Sequence, residues 1–385
     1  MRLYLTALKP TDSVTDGFLP AARALGCDVT VLTDRPERHL DSGAEVLGCD
    51  VRDARAVIDV IAHHHAPDAV FSNSDHLQAE TAMAAAYFGL PGKDWRACVA
   101  AKNKALTRRR LAAAGVETVR SARLAPGDPA PADMPFPLVV KPREGVASED
   151  VVLVRDEREL AVALREIRER RPGEALVVEE YLEGPLHTLE TLGDGGEPLV
   201  LGGFRTTLGP LPHFVEERLD WEPPPAREHV LRALSALGVG FGACHTEYVM
   251  TQAGPRIIEV NYRVIGDHCD FLLGDLLGVP LFERVLGVHL GAPAGDLGDV
   301  RGHGTALSVV AGRRGTVVAS PGTVVPAPGD PVRIWHRPLR AVGDRVEPNN
   351  TNRDYLGVVR AIGPDRASVD AAVAAFETDA PWVIA

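Results

Sequence analysis

Cysteine is scarce. The 385 residues contain five, Cys27, Cys49, Cys98, Cys244 and Cys269, an odd number with no Cys-x-x-Cys, so a disulfide framework is not expected and a reducing compartment fits. Cys244-His245 and His268-Cys269 set two metal-binding residue types side by side, but neighbours on a strand point to opposite faces and make poor chelating pairs. No apolar run of about 18 residues is available to span a bilayer. The N-terminus, where Lys9 and Pro10 follow the first short apolar strand, lacks the apolar core of a signal peptide. The expected location is the cytoplasm. The net charge is −12 with both signs interspersed, which argues against a surface that grips nucleic acid by its phosphates. Arg108-Arg109-Arg110, the one dense basic run, fans around a helix and is expected to be solvated; His63-His64-His65 is read the same way.

Three signature motifs are also missing. No Gly-x-Gly-x-x-Gly follows the first strand, where the turn reads Leu8-Lys9-Pro10-Thr11-Asp12-Ser13, so a dinucleotide fingerprint is excluded. Neither a Gly-x-x-x-x-Gly-Lys-Ser/Thr loop nor a Gly-x-Ser-x-Gly nucleophile elbow occurs.

What is present begins with an alternation of apolar strands and helical segments, at Leu3–Ala7, Asp28–Thr33, Val57–His65, Ala69–Ser72 and Gln78–Gly89. That pattern predicts a doubly wound α/β domain with a parallel sheet. Asn73-Ser74-Asp75 then falls where such sheets bind ligands, although Ser74 or Asp75 serves equally well as a helix N-cap. Residues 121–135, rich in Pro and Ala, read as a connector. Next comes Phe136-Pro137-Leu138-Val139-Val140-Lys141-Pro142, the loop Gly145-Val146-Ala147-Ser148, and a second strand near Val151. A lysine ending a buried strand is costly without an anion, and a loop of this kind can turn backbone N–H groups toward phosphate. Ala175-Leu176-Val177-Val178 is a further apolar strand, running into Glu179-Glu180-Tyr181-Leu182-Glu183-Gly184. Beyond residue 290 short strands broken by Gly and Pro, at Ala306–Val310, Thr316–Ala319, Val332–Trp335 and Tyr355–Arg360, close with a helix over Arg366–Thr378 and suggest a small β-rich subdomain.

The most informative stretch is Cys244-His245-Thr246-Glu247, a turn at Gln252-Ala253-Gly254-Pro255, and Ile257-Ile258-Glu259-Val260-Asn261-Tyr262-Arg263. Residues two apart on a strand share a face. Ile257, Glu259, Asn261 and Arg263 therefore lie on one side, with Ile258, Val260, Tyr262 and Val264 on the other. A ladder symmetric about Ala253 puts Glu247 opposite Glu259 and His245 opposite Asn261. Like charges directly opposite destabilise a sheet, and with no lysine expected between them, removing one carboxylate should stabilise the empty protein. Mg²⁺ takes one or two carboxylates and completes its octahedron with phosphate oxygens and water, so a magnesium–nucleotide site is one reading. A wet polar face on a half-buried hairpin is the other.

Four segments together resemble the ATP-grasp superfamily, most closely its carboxylate–amine ligases such as the L-amino acid ligases. They are Asn103-Lys104-Ala105-Leu106-Thr107-Arg108; Pro137–Pro142 with its glycine loop; Val178–Gly184; and the hairpin from His245-Thr246-Glu247 to Arg263. The resemblance implies an N-terminal α/β domain over residues 1–98, an ATP-grasp α+β core over 99–290, and a β-rich C-terminal lobe over 291–385 completing it. It implies ATP with Mg²⁺, or Mn²⁺, as cofactors. Lys104 and Lys141 would hold the phosphates under a loop from Gly145 to Ser148, Glu179, Glu180 and Leu182 would meet adenine, and His187 would meet the ribose. Glu247, Glu259 and Asn261 match the metal ligands, and Arg263 the arginine at the transferred phosphoryl group. Asn261-Tyr262-Arg263 stands where the family commonly has Asn-Pro-Arg. Asp267 and His268 fall near the reaction centre, while Asp270 is expected to cap the helix that starts near Phe271. The implied reaction joins a carboxylate to an amine through an acyl phosphate, with small-molecule partners only, no nucleic acid or membrane, and a homodimer as the oligomer it allows. A carboxylase, a small-molecule kinase and a nucleotide-sensing scaffold without turnover are the alternatives.

Overall fold

The protein is described here from a computed structural model that covers residues 1–298, 300 and 302–385. Its first sheet is parallel, in the order Glu45–Gly48, Asp28–Thr33, Arg2–Thr6, Ala69–Phe71. The two central strands are buried along almost their whole length, as a parallel sheet covered on both faces requires. The edge strand Glu45–Gly48 was not foreseen: none of its four residues is buried, so it carries no apolar run to read. The helix expected over 57–65 runs Ala54–Ala62. The three histidines therefore follow it, and His64 Nδ1 closes onto the Tyr4 hydroxyl at 2.8 Å.

A second, antiparallel sheet is ordered Ser121–Leu124, Leu176–Glu180, Leu138–Pro142, Val152–Val154. The helix Glu157–Arg170 packs its apolar stripe, Leu160, Ala163, Leu164 and Ile167, against it. Ser121–Leu124 corrects the connector reading. It is an edge strand with only Leu124 buried, so alternation could not mark it.

The third sheet has nine strands and joins the rest of the chain. The hairpin Phe241–Thr251 and Gly254–Asn261 forms one end, followed by Leu186–Asp194, Phe204–Leu208, Glu216–Trp221, His303–Val310, Tyr355–Gly363 and Arg333–Pro338, with Leu199–Gly202 alongside Leu186–Asp194. Three C-terminal strands thus continue this sheet, while Gly315–Ala319, Arg345–Val346 and Val383–Ile384 make a small sheet of their own. The main core lies between the parallel sheet and the large one, where Leu5, Val31 and Phe71 meet Phe204, Leu272 and Leu286. This packing holds the carboxyl ends of the parallel strands over the hairpin. All five cysteines are free thiols, and among the described residues no helix is long and apolar enough to cross a membrane.

The hairpin pairs Glu247 with Glu259 and His245 with Asn261, as the symmetric ladder predicts, but by a different route. Thr251 pairs with Gly254 across a two-residue turn, and Tyr248 pairs with Ile257. Ile258 is therefore an extra residue, a β-bulge that restores the expected register at the Glu247 end. It also corrects the faces. Ile257 joins Val260 and Tyr262 in the core, whereas Ile258 turns into the cleft with Glu259.

Candidate active site

A cleft of about 790 Å³ opens between the parallel sheet, the second sheet and the hairpin. Lys104, Lys141, Gly145, Ser148, Glu179, Glu180, Leu182, Glu247, Glu259, Asn261 and Arg263 all line it. His187 does not. On the strand Leu186–Asp194 the even residues face the cleft side, where Leu186 lines the cavity and Glu190 meets His245. His187 instead stacks on Tyr248, its cross-strand partner, with ring centroids 5.7 Å apart. Burial lowers its pKa. A direct ribose contact is not what this side chain is placed to make.

Lys141 does not wait for a nucleotide to find its anion. Its Nζ lies 2.7 Å from Glu179 Oε2, and Arg108 grips the same carboxylate with Nε at 2.9 Å and Nη2 at 3.0 Å. Arg108 is 6% exposed, which corrects its reading as a solvated surface residue. It also pairs with Glu117 at 3.3 Å and donates to the carbonyl of Ile257, the residue before the bulge. Glu117 in turn accepts from Ile257 N and meets His229 Nε2 at 2.7 Å. Burial opposes the charge on Glu179, but Arg108 and Lys141 overcome it and hold its pKa down at about 2. The Glu179 side chain is thus committed to Arg108 and Lys141, and the adenine contact expected of it is not one it is placed to make.

Breaking a buried pair by removing one partner typically costs 3–5 kcal/mol. Glu179→Gln is expected to lower the unfolding free energy by about that much at neutral pH. Since the folded pKa is depressed, the carboxylate stabilises above its ordinary 4.5 and ceases to as pH falls through about 2. Urea titrations of both proteins should therefore converge over that acid window. A gap that stays constant with pH would show that the network does not depend on this charge.

Lys104 corrects the expectation of an unoccupied gap between the carboxylates. It opens the helix Lys104–Ala113, whose N-cap Asn103 accepts from Leu106 N at 3.1 Å, and its Nζ reaches Glu259 Oε1 at 2.8 Å and Gly145 O at 3.2 Å. Glu247 accepts from Asn261 Nδ2 at 3.2 Å and lies 3.4 Å from His245 Nε2. His245 Nδ1 sits 2.7 Å from Glu190. Although burial disfavours an imidazolium, Glu190 and Glu247 push its pKa up to about 10. The facing carboxylates are therefore already neutralised by Lys104 and His245. Glu216 is a third carboxylate at this end of the cleft. Burial and then Glu247 raise its pKa to about 8.

Arg263 is held from the first sheet. Its Nε donates to Asp75 Oδ2 at 2.8 Å and its Nη1 to Val264 O at 2.8 Å, while Asn73 Oδ1 accepts from Val264 N at 3.2 Å. Burial works against the guanidinium charge, but Asp75, aided by Asp267 and Glu259, leaves its pKa raised. Asn73-Ser74-Asp75 thus serves the cleft rather than a helix cap, since the helix Gln78–Tyr87 has Leu77 at its N-cap and no side-chain cap. In the loop, Ala147 and Ser148 adopt φ of 57° and 53°, a conformation that costs non-glycine residues energy and clusters at functional sites. Asn352 N donates to Ala147 O at 3.1 Å, and Glu149 bridges Arg353 and Arg171. Asp267 and His268 line the cleft, with His268 Nε2 2.8 Å from Asp12. Asp270 departs from its expected role. The helix Cys269–Leu277 has no side-chain cap, and Asp270, inside its first turn, is fully buried and accepts from Ser13 Oγ at 2.5 Å.

A family model for the ATP-grasp domain matches residues 101–267. The protein carries an ATP-grasp domain. The chain is 32% identical over 314 residues to an uncharacterized protein of Sinorhizobium fredii, covering 77% of this chain and 64% of that one. It is 27% identical over 296 residues to a phosphoribosylamine–glycine ligase of Phenylobacterium zucineum, covering 70% and 60%. The chain thus spans less than two thirds of the length of either relative. Among solved structures, an L-amino acid ligase from Bacillus licheniformis superposes with a TM-score of 0.83 over 100% of this chain and 98% of that one, at 21% identity. The likeness is one of fold, and it covers the whole chain.

The ATP-grasp site can be tested for its fit to a divalent cation. Glu247, Glu259 and Asn261 are hard oxygen donors of the kind Mg²⁺ and Mn²⁺ prefer. Among the described residues no three His, Cys, Asp or Glu side chains form a metal-holding group. Two carboxylates and one amide leave most of an octahedron open, which suits a cation that takes its other positions from phosphate and water, as Mg²⁺ commonly does. Sequence reasoning missed Arg108, Glu117 and Glu216 as parts of the site, and it raised Asp75 and His245 without giving either a role there. Their partners lie 71 to 188 positions away in the pairs Arg108–Glu179 and Asp75–Arg263, and no local pattern marks them.

Proposed function

We propose that the protein is an ATP-dependent carboxylate–amine ligase that forms an amide or peptide bond through an acyl phosphate and releases ADP and phosphate. The observation that carries this reading is the convergence in one cleft of two facing carboxylates, two buried lysines and an arginine anchored from another sheet. Phosphoryl transfer and acyl transfer both place negative charge on oxygen, so fixed cations matter more than acid–base groups. Lys104 and Lys141 would orient the nucleotide phosphates, and Arg263 would meet the γ-phosphoryl oxygens and the acyl oxygen that gains charge. Glu247, Glu259 and Asn261 would hold the metal, which when bound neutralises charge on the phosphates. Lys104 Nζ, 2.8 Å from Glu259 and 3.2 Å from Gly145 O, would be shared with a phosphate oxygen. The Gly145–Ser148 loop, tied to Asn352 and Lys104, would exclude the water that hydrolyses an acyl phosphate. Glu216, a further carboxylate lining the cleft, would in its ionised form take the proton that a substrate ammonium must shed to become the attacking amine.

The test is a matrix of carboxylates against amines with ATP and Mg²⁺, read for ADP and for amide by mass spectrometry. ADP and amide in equal amounts, dependent on both substrates, is the expected result. A phosphorylated or carboxylated product with no amide would overturn the reading.

A further inference from the structure

The cleft has a second set of cations, apart from those assigned to the nucleotide. The cationic side chains of Lys9, Arg35 and Arg52, with the imidazole of His76, line it. Each follows a different strand of the parallel sheet, Arg2–Thr6, Asp28–Thr33, Glu45–Gly48 and Ala69–Phe71. The carboxyl ends of such strands are where open α/β sheets bind ligands. Arg353 reaches the same cavity from the C-terminal segment.

Of these cations Arg353 is paired, its Nε donating to Glu149 Oε1 at 2.8 Å, and the other three are not. Among the described residues no carboxylate pairs with Lys9, Arg35 or Arg52. Two of the nearby acids are already engaged: Asp12 accepts from Arg337 at 2.8 Å and pairs with His268, and Asp75 holds Arg263. Behind them the buried Nζ of Lys102 has no hydrogen-bond partner. The crowding registers on the groups themselves. Arg353 is the leading cause that lowers the pKa of Lys9. Burial and then Lys102, with Arg52 and Arg353, bring His76 down to about 4. Like charges gathered in one cleft repel unless an anion joins them. His76 directly follows Asp75, the anchor of Arg263, so this set begins where the proposed phosphoryl-transfer groups end.

We propose that the carboxyl-end wall of the parallel sheet is a subsite for a second anionic group on the substrate, a carboxylate or a phosphate carried in addition to the carboxylate that is activated. Acidic amino acids, dicarboxylic acids and phosphorylated small acids are the class it fits. The proposal rests on the ligase reading for the identity of the bound molecule as substrate.

The experiment measures calorimetric affinities of the full chain, with Mg²⁺ and a non-hydrolysable ATP analogue, for glutamate against glutamine and for O-phosphoserine against serine. At least one acidic probe should bind 10-fold or more tightly than its neutral counterpart, and which pair shows the preference distinguishes carboxylate from phosphate. Both arginines are exposed, so the Arg35→Gln/Arg52→Gln double variant should fold. In it the preference should shrink below 3-fold while affinity for the ATP analogue is unchanged. No preference in either pair, or a preference that survives the double variant, would overturn the subsite, as would loss of analogue affinity alone. Amide formed from neutral acids without any acidic preference would remove the subsite and leave the ligase. An acidic preference sensitive to the double variant, with no amide from any probe, would keep the subsite and remove the ligase.

Discussion

Arg263→Ala should slow amide formation by about 10²–10³, the usual loss when one preorganised donor to a developing oxyanion is removed, while ATP affinity changes by less than about 3-fold. The reason is where the guanidinium is anchored. Asp75, from the loop that follows the parallel strand Ala69–Phe71, and the Val264 carbonyl fix it. Its charge is therefore prepaid and matters most when the γ-phosphoryl group and then the acyl oxygen gain charge. Arg263→Lys should recover only part of the rate, since one ammonium cannot reproduce a planar fork. Asp75→Asn, which leaves the arginine but loosens it, should lower the turnover number by a smaller factor than Arg263→Ala. Comparing saturated turnover with ATP affinity decides the matter. A variant that lost affinity but kept its rate would assign Arg263 to ground-state binding.

The second large effect is expected at Glu259. Losing a partner of a metal ligand typically costs 10–100-fold, so loss of a direct ligand in Glu259→Gln should lower turnover by at least ~100-fold, partly recoverable at high Mg²⁺. The structure reverses the stability expectation drawn from the hairpin alone. Lys104 already pairs with Glu259 at 2.8 Å, so the substitution strands a buried ammonium instead of relieving two repelling carboxylates. Stability without ligand should fall by about 1–3 kcal/mol, the cost of leaving a buried polar group unpaired. Urea denaturation of the two proteins tests this directly. A more stable variant would mean that repulsion between Glu247 and Glu259 dominates after all.

Where the sequence could be read and where it could not follows from the range of the interactions. The parallel sheet and the facing carboxylates were legible because each rests on a local pattern, apolar runs in one case and period-two alternation in the other. The bulge at Ile258 was not, and neither was Ser121–Leu124, because an extra residue and an exposed edge leave no periodic trace. Single residues failed for a different reason. Arg108 looked like surface because a basic run usually is; only the fold brings Glu179 and Glu117 to it. Lys141 was read correctly as needing an anion, but the sequence could not say that Glu179 supplies one before any nucleotide arrives. His187 was placed by analogy of position, and strand alternation around Leu186 and Thr188 turns it to the other face.

The central claim is that a carboxylate oxygen attacks the γ-phosphoryl group of ATP. Once the substrate matrix identifies an accepted acid, the most direct measurement labels that acid with ¹⁸O in both carboxylate oxygens and examines the inorganic phosphate released during amide formation. An acyl-phosphate route moves one carboxylate oxygen to phosphate, so the account predicts a single ¹⁸O in each phosphate formed. Phosphate without label, accompanied by amide, would contradict it.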